Sequence, residues 1–171
     1  IAVAEAIVQA AARHGDRELF DRLRAAVAST QDRRERRILY LALGSFGDQG
    51  IARSALALIL DPVHDYREAI QIAWSLTETP RGSVLAYAFV KVNFDSLVSM
   101  APLDAAAYYP RMAGNFCSEE QRADVEAFFR ERAPRFAGGP RILAQTLERI
   151  HLCAAFKHKQ QASLAAFLEK Y

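Results

Sequence analysis

Residues 82–97 read GSVLAYAFVKVNFDSL, and the spacing of apolar positions in this stretch decides the fold class. Leu85, Ala88, Phe89 and Val92 form one helical stripe, and Val84, Tyr87, Phe94 and Val98 form a second. Thr79 and Pro80 open the helix, because threonine caps and a proline at the first helical position lacks only an N–H with no partner there. Only Lys91 and Asp95 are charged between Ser83 and Met100. Two stripes on one helix imply cover on two sides, as for the interior helix of an αα stack. Each large side chain buried there contributes roughly 1.5–3 kcal/mol before entropy, so loss of Phe89 or Leu85 is expected to unfold this region.

The same periodicity runs outward in both directions, and β-branched residues nowhere alternate with polar ones over a strand's length. The chain is therefore all-α. Gly15 before Asp16 and Gly47 before Asp48 each supply a C-terminal glycine and then an N-cap, roughly 32 residues apart, with a further helix starting near Asp32. Ser118 and Gln121 have capping-box spacing ahead of Val125, Phe128 and Phe129. Gly138, Gly139 and Pro140 open a helix running to about Lys157, and a last short helix carries Leu164, Phe167 and Leu168. About ten helices of ~12 to 20 residues in tandem pairs suit an αα superhelix of the HEAT or armadillo kind, a compact bundle being the alternative.

At 171 residues and 51% hydrophobic, the chain is long enough for a single domain with a real core. It begins at Ile1, which suggests a fragment of something longer. No apolar run approaches the ~20 residues that span a bilayer; residues 55–60 (ALALIL) have the length of a core helix face. A net charge of +2 makes no case for nucleic acid or an anionic membrane, and the run Arg33, Arg34, Arg36, Arg37 around Glu35 reads as a solvated helix face. Cys117 and Cys153 lack paired-ligand spacing and read as buried, reduced thiols in a reducing compartment, hence a cytoplasmic location. Abundant alanine and arginine beside little lysine suggests a bacterial source.

Catalytic sets are missing from the sequence. There is no HExxH; of His14, His64, His151 and His158, the last two share a face but stand about 10 Å apart along the axis, too far to chelate directly. Ser54, Ser83 and Ser118 lack a nucleophile elbow, Cys153 sits on an apolar helix, and Gly138-Gly139 has neither the lysine nor the spacing of a phosphate loop. Lys91 stands out, since its ammonium must snorkel, pair with an acid such as Glu148, or face a substrate space. Asn93 reads as a helix-to-helix hydrogen-bonding group. Arg141, Gln145 and Glu148, at i, i+4 and i+7, form a polar strip that reads as an exposed face or a wall.

Three segments, in order, carry a family likeness. Tyr87, Phe89, Lys91, Asn93 and Phe94 resemble the Trp-x-Phe-x-Lys-x-Asn-Trp helix of the C-terminal helical domain in zinc aminopeptidases of the puromycin-sensitive and endoplasmic-reticulum type, which carry the HExxH motif in another domain. Residues 116–129 (FCSEEQRADVEAFF) resemble that domain's Phe-Ser-Thr-Glu and Val-x-x-Phe-Phe segment, and residues 141–156 (RILAQTLERIHLCAAF) its Arg-x-x-x-Gln-x-x-Glu-x-Ile helix. Gly15-Asp16 and residues 37–44 (RILYLALG) also fit. Phe94 and Phe156 stand where tryptophan is usual, which roughly preserves volume; Cys153 replaces a frequent asparagine, and Ser83 follows Gly82 where arginine or tyrosine is common.

The resemblance implies that residues 1–171 are the C-terminal portion of the helical domain, whose concave face closes over the catalytic domain and forms a chamber that helps set peptide length and sequence preference. It implies a parent that hydrolyses N-terminal residues from peptides with zinc in its catalytic domain, and no cofactor in this part. Its partners are then that catalytic domain and peptide substrates. Lys91, Asn93, Tyr87, Phe94, Arg141, Gln145 and Glu148 are the candidates for the chamber wall. The competing reading is a freestanding helical-repeat scaffold that binds other proteins.

Overall fold

Five side chains start five of the helices. In the computed structural model, which describes residues 2–102 and 104–170, Asp16, Asp32, Asp48, Thr79 and Ser118 each accept a hydrogen bond from a first-turn backbone N–H. Asp65 does the same for a short helix that the sequence reading left unassigned. Each such cap contributes about 0.5–2 kcal/mol relative to alanine. Among the described residues there is no strand, so the chain is all-α. Its contacts divide it into two compact units, Ile1–Leu103 and Asp104–Tyr171.

The first unit contains α1 (Ala2–Arg13), α2 (Arg17–Ser29), α3 (Arg33–Leu43), α4 (Gln49–Ala57), the short α5 (Tyr66–Ala69) and α6 (Gln71–Leu76), and α7 (Pro80–Met100). Helix α3 is central, packing against α1, α2, α5 and α6, while α4 packs against α6 and α7. Tyr40, Leu43, Ile59, Ile72, Val90 and Leu97 are fully buried. Close approach explains Gly82: a Cβ there would collide with the carbonyl oxygen of Leu76, so the first turn of α7 meets the end of α6 only through a glycine.

Helix α7 is covered differently from the expectation. Its buried seam is Ser83, Ala86, Tyr87, Val90, Phe94 and Leu97, whereas Val84 and Val92 are exposed and Leu85, Phe89 and Val98 are half-buried. One face is sealed, not two: the Val90 side is buried, and the Leu85–Phe89 side is only half covered. The critical residues are accordingly Val90, Phe94 and Leu97 instead of Phe89 and Leu85. Asn93 leaves helical geometry at φ −111°, ψ 19° and bends the helix. Its Nδ2 donates to the Phe89 carbonyl at 2.9 Å, a bond within α7 and not the helix-to-helix bond anticipated.

The basic run at the start of α3 is also only partly a solvated face. Arg33, Arg34 and Arg37 are exposed, but Arg36 grips Glu68 with Nε at 2.6 Å and Nη2 at 3.2 Å, and donates to the Thr30 carbonyl at 3.1 Å. Beside this fork, the Tyr40 hydroxyl lies 2.9 Å from His64 Nδ1. Burial, reinforced by the Glu68 charge, pushes the Tyr40 phenol up to about 12.

In the second unit a 3₁₀ helix (Ala105–Ala113), α8 (Glu119–Phe129) and α9 (Gly139–Leu168) pack together around Tyr109, Met112, Val125, Phe129 and Ile150. The capping pair forms with a shift of one residue: Ser118 Oγ accepts from Gln121 N, and Gln121 Oε1 accepts from the N–H of Cys117, the residue before the cap. Phe128 is half-buried and carries the Arg132 guanidinium 4.2 Å from its ring centroid. Gly138, at φ 77°, adopts the left-handed turn that opens α9.

Two expectations fail here. Helix α9 runs unbroken for 30 residues, so the separate last helix is its continuation; residues 157–163 (KHKQQAS) hold no glycine or proline to stop it. Its buried positions end at Ile150, and Leu152, Phe156, Leu164, Phe167 and Leu168 are exposed. The cysteines are not reduced thiols either. Cys117 and Cys153 form a disulfide with Cα atoms 5.0 Å apart, Cys153 being exposed and Cys117 half-buried. The reducing compartment inferred from free thiols loses its basis.

Candidate functional site

The half-exposed stripe of α7 faces α4, and the two helices frame a groove within the first unit. At its polar end, the N-termini of α4 and α7 and the C-terminus of α1 surround a cavity of about 690 Å³ whose lining includes Arg13, Phe46, Asp48, Gln49, Glu78 and Arg81. Leu85 belongs to this cavity and to a second hollow of about 330 Å³, walled by Leu56, Ala57, Leu60, Phe89, Val92 and Asn93. Along α7 the residues that line the two hollows run from Arg81 to Asn93, about 18 Å at 1.5 Å per residue, and Leu85 is common to both. That length accommodates about five residues of extended peptide at ~3.3 Å each.

The two ends differ chemically. Arg13 Nη2 lies 3.3 Å from Glu78 Oε2, with both side chains about half exposed, so the pair is screened and open to competition. Arg81 is exposed at the rim. The floor is committed to the fold: Ser45 and Ser75 hydroxyls both donate to the Leu41 carbonyl, at 2.8 and 2.7 Å, while the Asp48 and Thr79 side chains cap their helices. What remains toward solvent is a mouth with the guanidiniums of Arg13 and Arg81, the carboxylate of Glu78 and the capped N-termini of α4 and α7. Beyond Leu85 the lining is mainly aliphatic and aromatic, with Arg53 and Asn93 as its polar members. A polar mouth and an apolar trough suit a chain with a polar backbone and alternating side chains better than a rigid small molecule.

The seven candidates from the sequence fall into two sets. Tyr87 and Phe94 are buried in the α7 seam, 5% and 4% exposed, and Lys91 is half-buried with Nζ 5.3 Å from the Tyr87 ring centroid. Asn93 bends α7 and lines the apolar trough. Arg141, Gln145 and Glu148 are exposed on α9, in the second unit. Arg13, Gln49, Arg81 and the trough residues Leu56 and Leu60 were not singled out by sequence. Their one local signal is an arginine directly after the Thr79-Pro80 cap, ahead of a stripe that ends in the exposed Val92.

Among the described residues, no group of three or more His, Cys, Asp or Glu is placed to hold a metal ion, and no helix is long and apolar enough to cross a membrane. Capped helices packed against one another, with no strand among the described residues, define an all-α helical domain. The particular family follows from comparison: residues 2–152 match the ERAP1-like C-terminal domain, and the chain belongs to that family. It is a C-terminal domain of the kind found in ERAP1-type aminopeptidases. A search of curated proteins returns no match.

Proposed function

We propose that this domain encloses peptide substrate for an aminopeptidase and helps set the length and sequence preference of hydrolysis performed by a zinc-bearing catalytic domain. The α4–α7 groove is the observation that carries the reading. Its trough accepts apolar side chains, and its mouth offers Arg13 and Arg81 to a carboxylate of the peptide. A charge-assisted contact there contributes about 1.5–3 kcal/mol, or about ten- to a hundredfold in affinity. A peptide too short to reach the groove gains none of it, so length discrimination follows from distance alone. Zinc and bond cleavage belong to the catalytic domain in this proposal, and these helices contribute binding and orientation.

The test is a series of peptides of graded length on the parent enzyme, alongside a single-residue chromogenic substrate. Arg81→Ala is expected to lower the ratio of kcat/KM for long peptides to that for the chromogenic substrate by about tenfold. A ratio that stays constant across the series removes the groove from substrate selection.

A further inference from the structure

Gln49 lines the polar mouth, and Arg53, one helical turn further along α4, lines the apolar trough. Their side chains meet where the two hollows adjoin: Arg53 Nη2 lies 3.5 Å from Gln49 Oε1, and Leu85 of α7 is common to both linings. Among the described residues that line the trough, Arg53 is the one that carries a charge.

The fold makes little use of that charge. A guanidinium has five N–H donors, and the bond to Gln49 is long and goes to a neutral acceptor on the same helix. Helix α4 (QGIARSALA) holds no acid of its own. The two carboxylates that line the mouth are engaged elsewhere, Asp48 as the cap that accepts from the Ile51 N–H and Glu78 in its pair with Arg13. Arg53 is exposed, so its side chain fills no part of the core.

We propose that Arg53 is a specificity-determining residue that selects an acidic side chain two positions before the last residue of a bound peptide; the proposal rests on the peptide reading of the α4–α7 groove. The position follows from the spacing of the two helices' side chains. With the peptide's carboxylate held at the mouth by Arg13 and Arg81, Arg53 stands about 6 Å further along α4 than Gln49, at 1.5 Å per residue. An extended peptide covers that distance in about two residues at ~3.3 Å each. Its side chains alternate between opposite sides, so the residue that meets Arg53 turns to α4 while its neighbours turn to the apolar wall of Leu85 and Phe89. A carboxylate there accepts charge-assisted bonds from a guanidinium otherwise given only to Gln49, whereas an ammonium is repelled. The site is open to water, so the preference is expected to be about two- to fivefold in affinity.

The experiment measures binding of short fluorescein-labelled peptides to the 171-residue chain by anisotropy. The peptides are built on alanine and leucine, with one glutamate placed second, third or fourth from the carboxyl end, and with glutamine or lysine in its place at the third. Glutamate third from the end is expected to bind about two- to fivefold more tightly than glutamine there, and more tightly than glutamate at either neighbouring position. Arg53→Gln is expected to remove that difference, and Arg53→Glu to reverse it in favour of lysine, a reversal that a merely structural role would not produce. Peptides that bind, weaken with Arg81→Ala and yet ignore the charge at the third position overturn the Arg53 proposal and leave the groove reading standing. Peptides that do not bind at all overturn both. A gain from glutamate that is equal at all three positions, or that survives in Arg53→Gln, also overturns the assignment to Arg53.

Discussion

Lys91 holds its ammonium 5.3 Å from the centroid of the Tyr87 ring, one turn back along α7. Tyr87 is buried in the seam, so the ring gives a fixed platform and the lysine stem lies along the helix surface. A cation over an aromatic face at a partly exposed site contributes about 0.5–1 kcal/mol. Lys91→Met keeps the stem and removes the charge. Its urea midpoint is expected to fall by an amount equivalent to that energy, and Lys91→Arg to restore it; a Met variant as stable as the parent sequence refutes the stacking role.

The seam and the groove stripe of α7 separate in a mutational series. Phe94→Ala is expected to lose about 3–5 kcal/mol and Leu97→Ala about 2–5 kcal/mol, since both sit in the core. Val92 is 82% exposed, and Val92→Ala is expected to stay within about 0.5 kcal/mol. Chemical denaturation of the three variants checks the order. Equal losses at positions 92 and 94 contradict the one-sided cover of α7.

Alkaline titration isolates Tyr40. Its phenol is pushed from 10.0 to about 12 by burial first and the Glu68 charge second. The folded value lies above the unfolded one, so the stabilisation from a neutral Tyr40 is complete below pH 10 and is lost as pH rises toward 12. Tyrosinate absorbance is expected to include a late phase to which Tyr40 contributes, and Tyr40→Phe to diminish that phase by one tyrosine's amplitude. A titration in which Tyr40→Phe removes an ordinary phase near pH 10 shows the opposite.

Acid acts on α8. The Arg122 hydrogen bond, followed by the His151 contact, holds the Glu119 carboxyl below its usual 4.5. A depressed folded value means that the stabilisation is present above pH 4.5 and is lost as pH falls through the folded value. Glu119→Gln is expected to flatten the acid limb of the stability profile in the second unit, measured by hydrogen exchange at α8 against pH. An unchanged limb contradicts this pairing.

What could be read from the sequence was what local chemistry determines. Asp16, Asp48, Thr79 and Ser118 announce helix starts because a cap needs only its own first turn. The buried seam of α7 shares only Tyr87 and Phe94 with the expected stripes and adds Ser83, Ala86, Val90 and Leu97 at the same three- and four-residue spacing, so periodicity within residues 82–97 allowed several faces and the packing of α4 and α6 selected this one. The run-on of α9 was hidden by grouping Leu164, Phe167 and Leu168 as a new face, although no breaker separates them from Phe156. The cysteines offered only one pairing, but bond or thiol depended on a fold that brings residues 117 and 153 together. The groove is the least legible feature, assembled from the end of α1 and the starts of α4 and α7.

Photo-crosslinking tests the central claim most directly. A peptide carrying a benzophenone side chain four or five residues from its carboxyl end, incubated with the parent enzyme and illuminated, is expected to label residues 53–60 and 85–93, and excess unmodified peptide to suppress that labelling. Adducts confined to other helices, or labelling that competing peptide does not reduce, contradict a peptide-binding groove between α4 and α7.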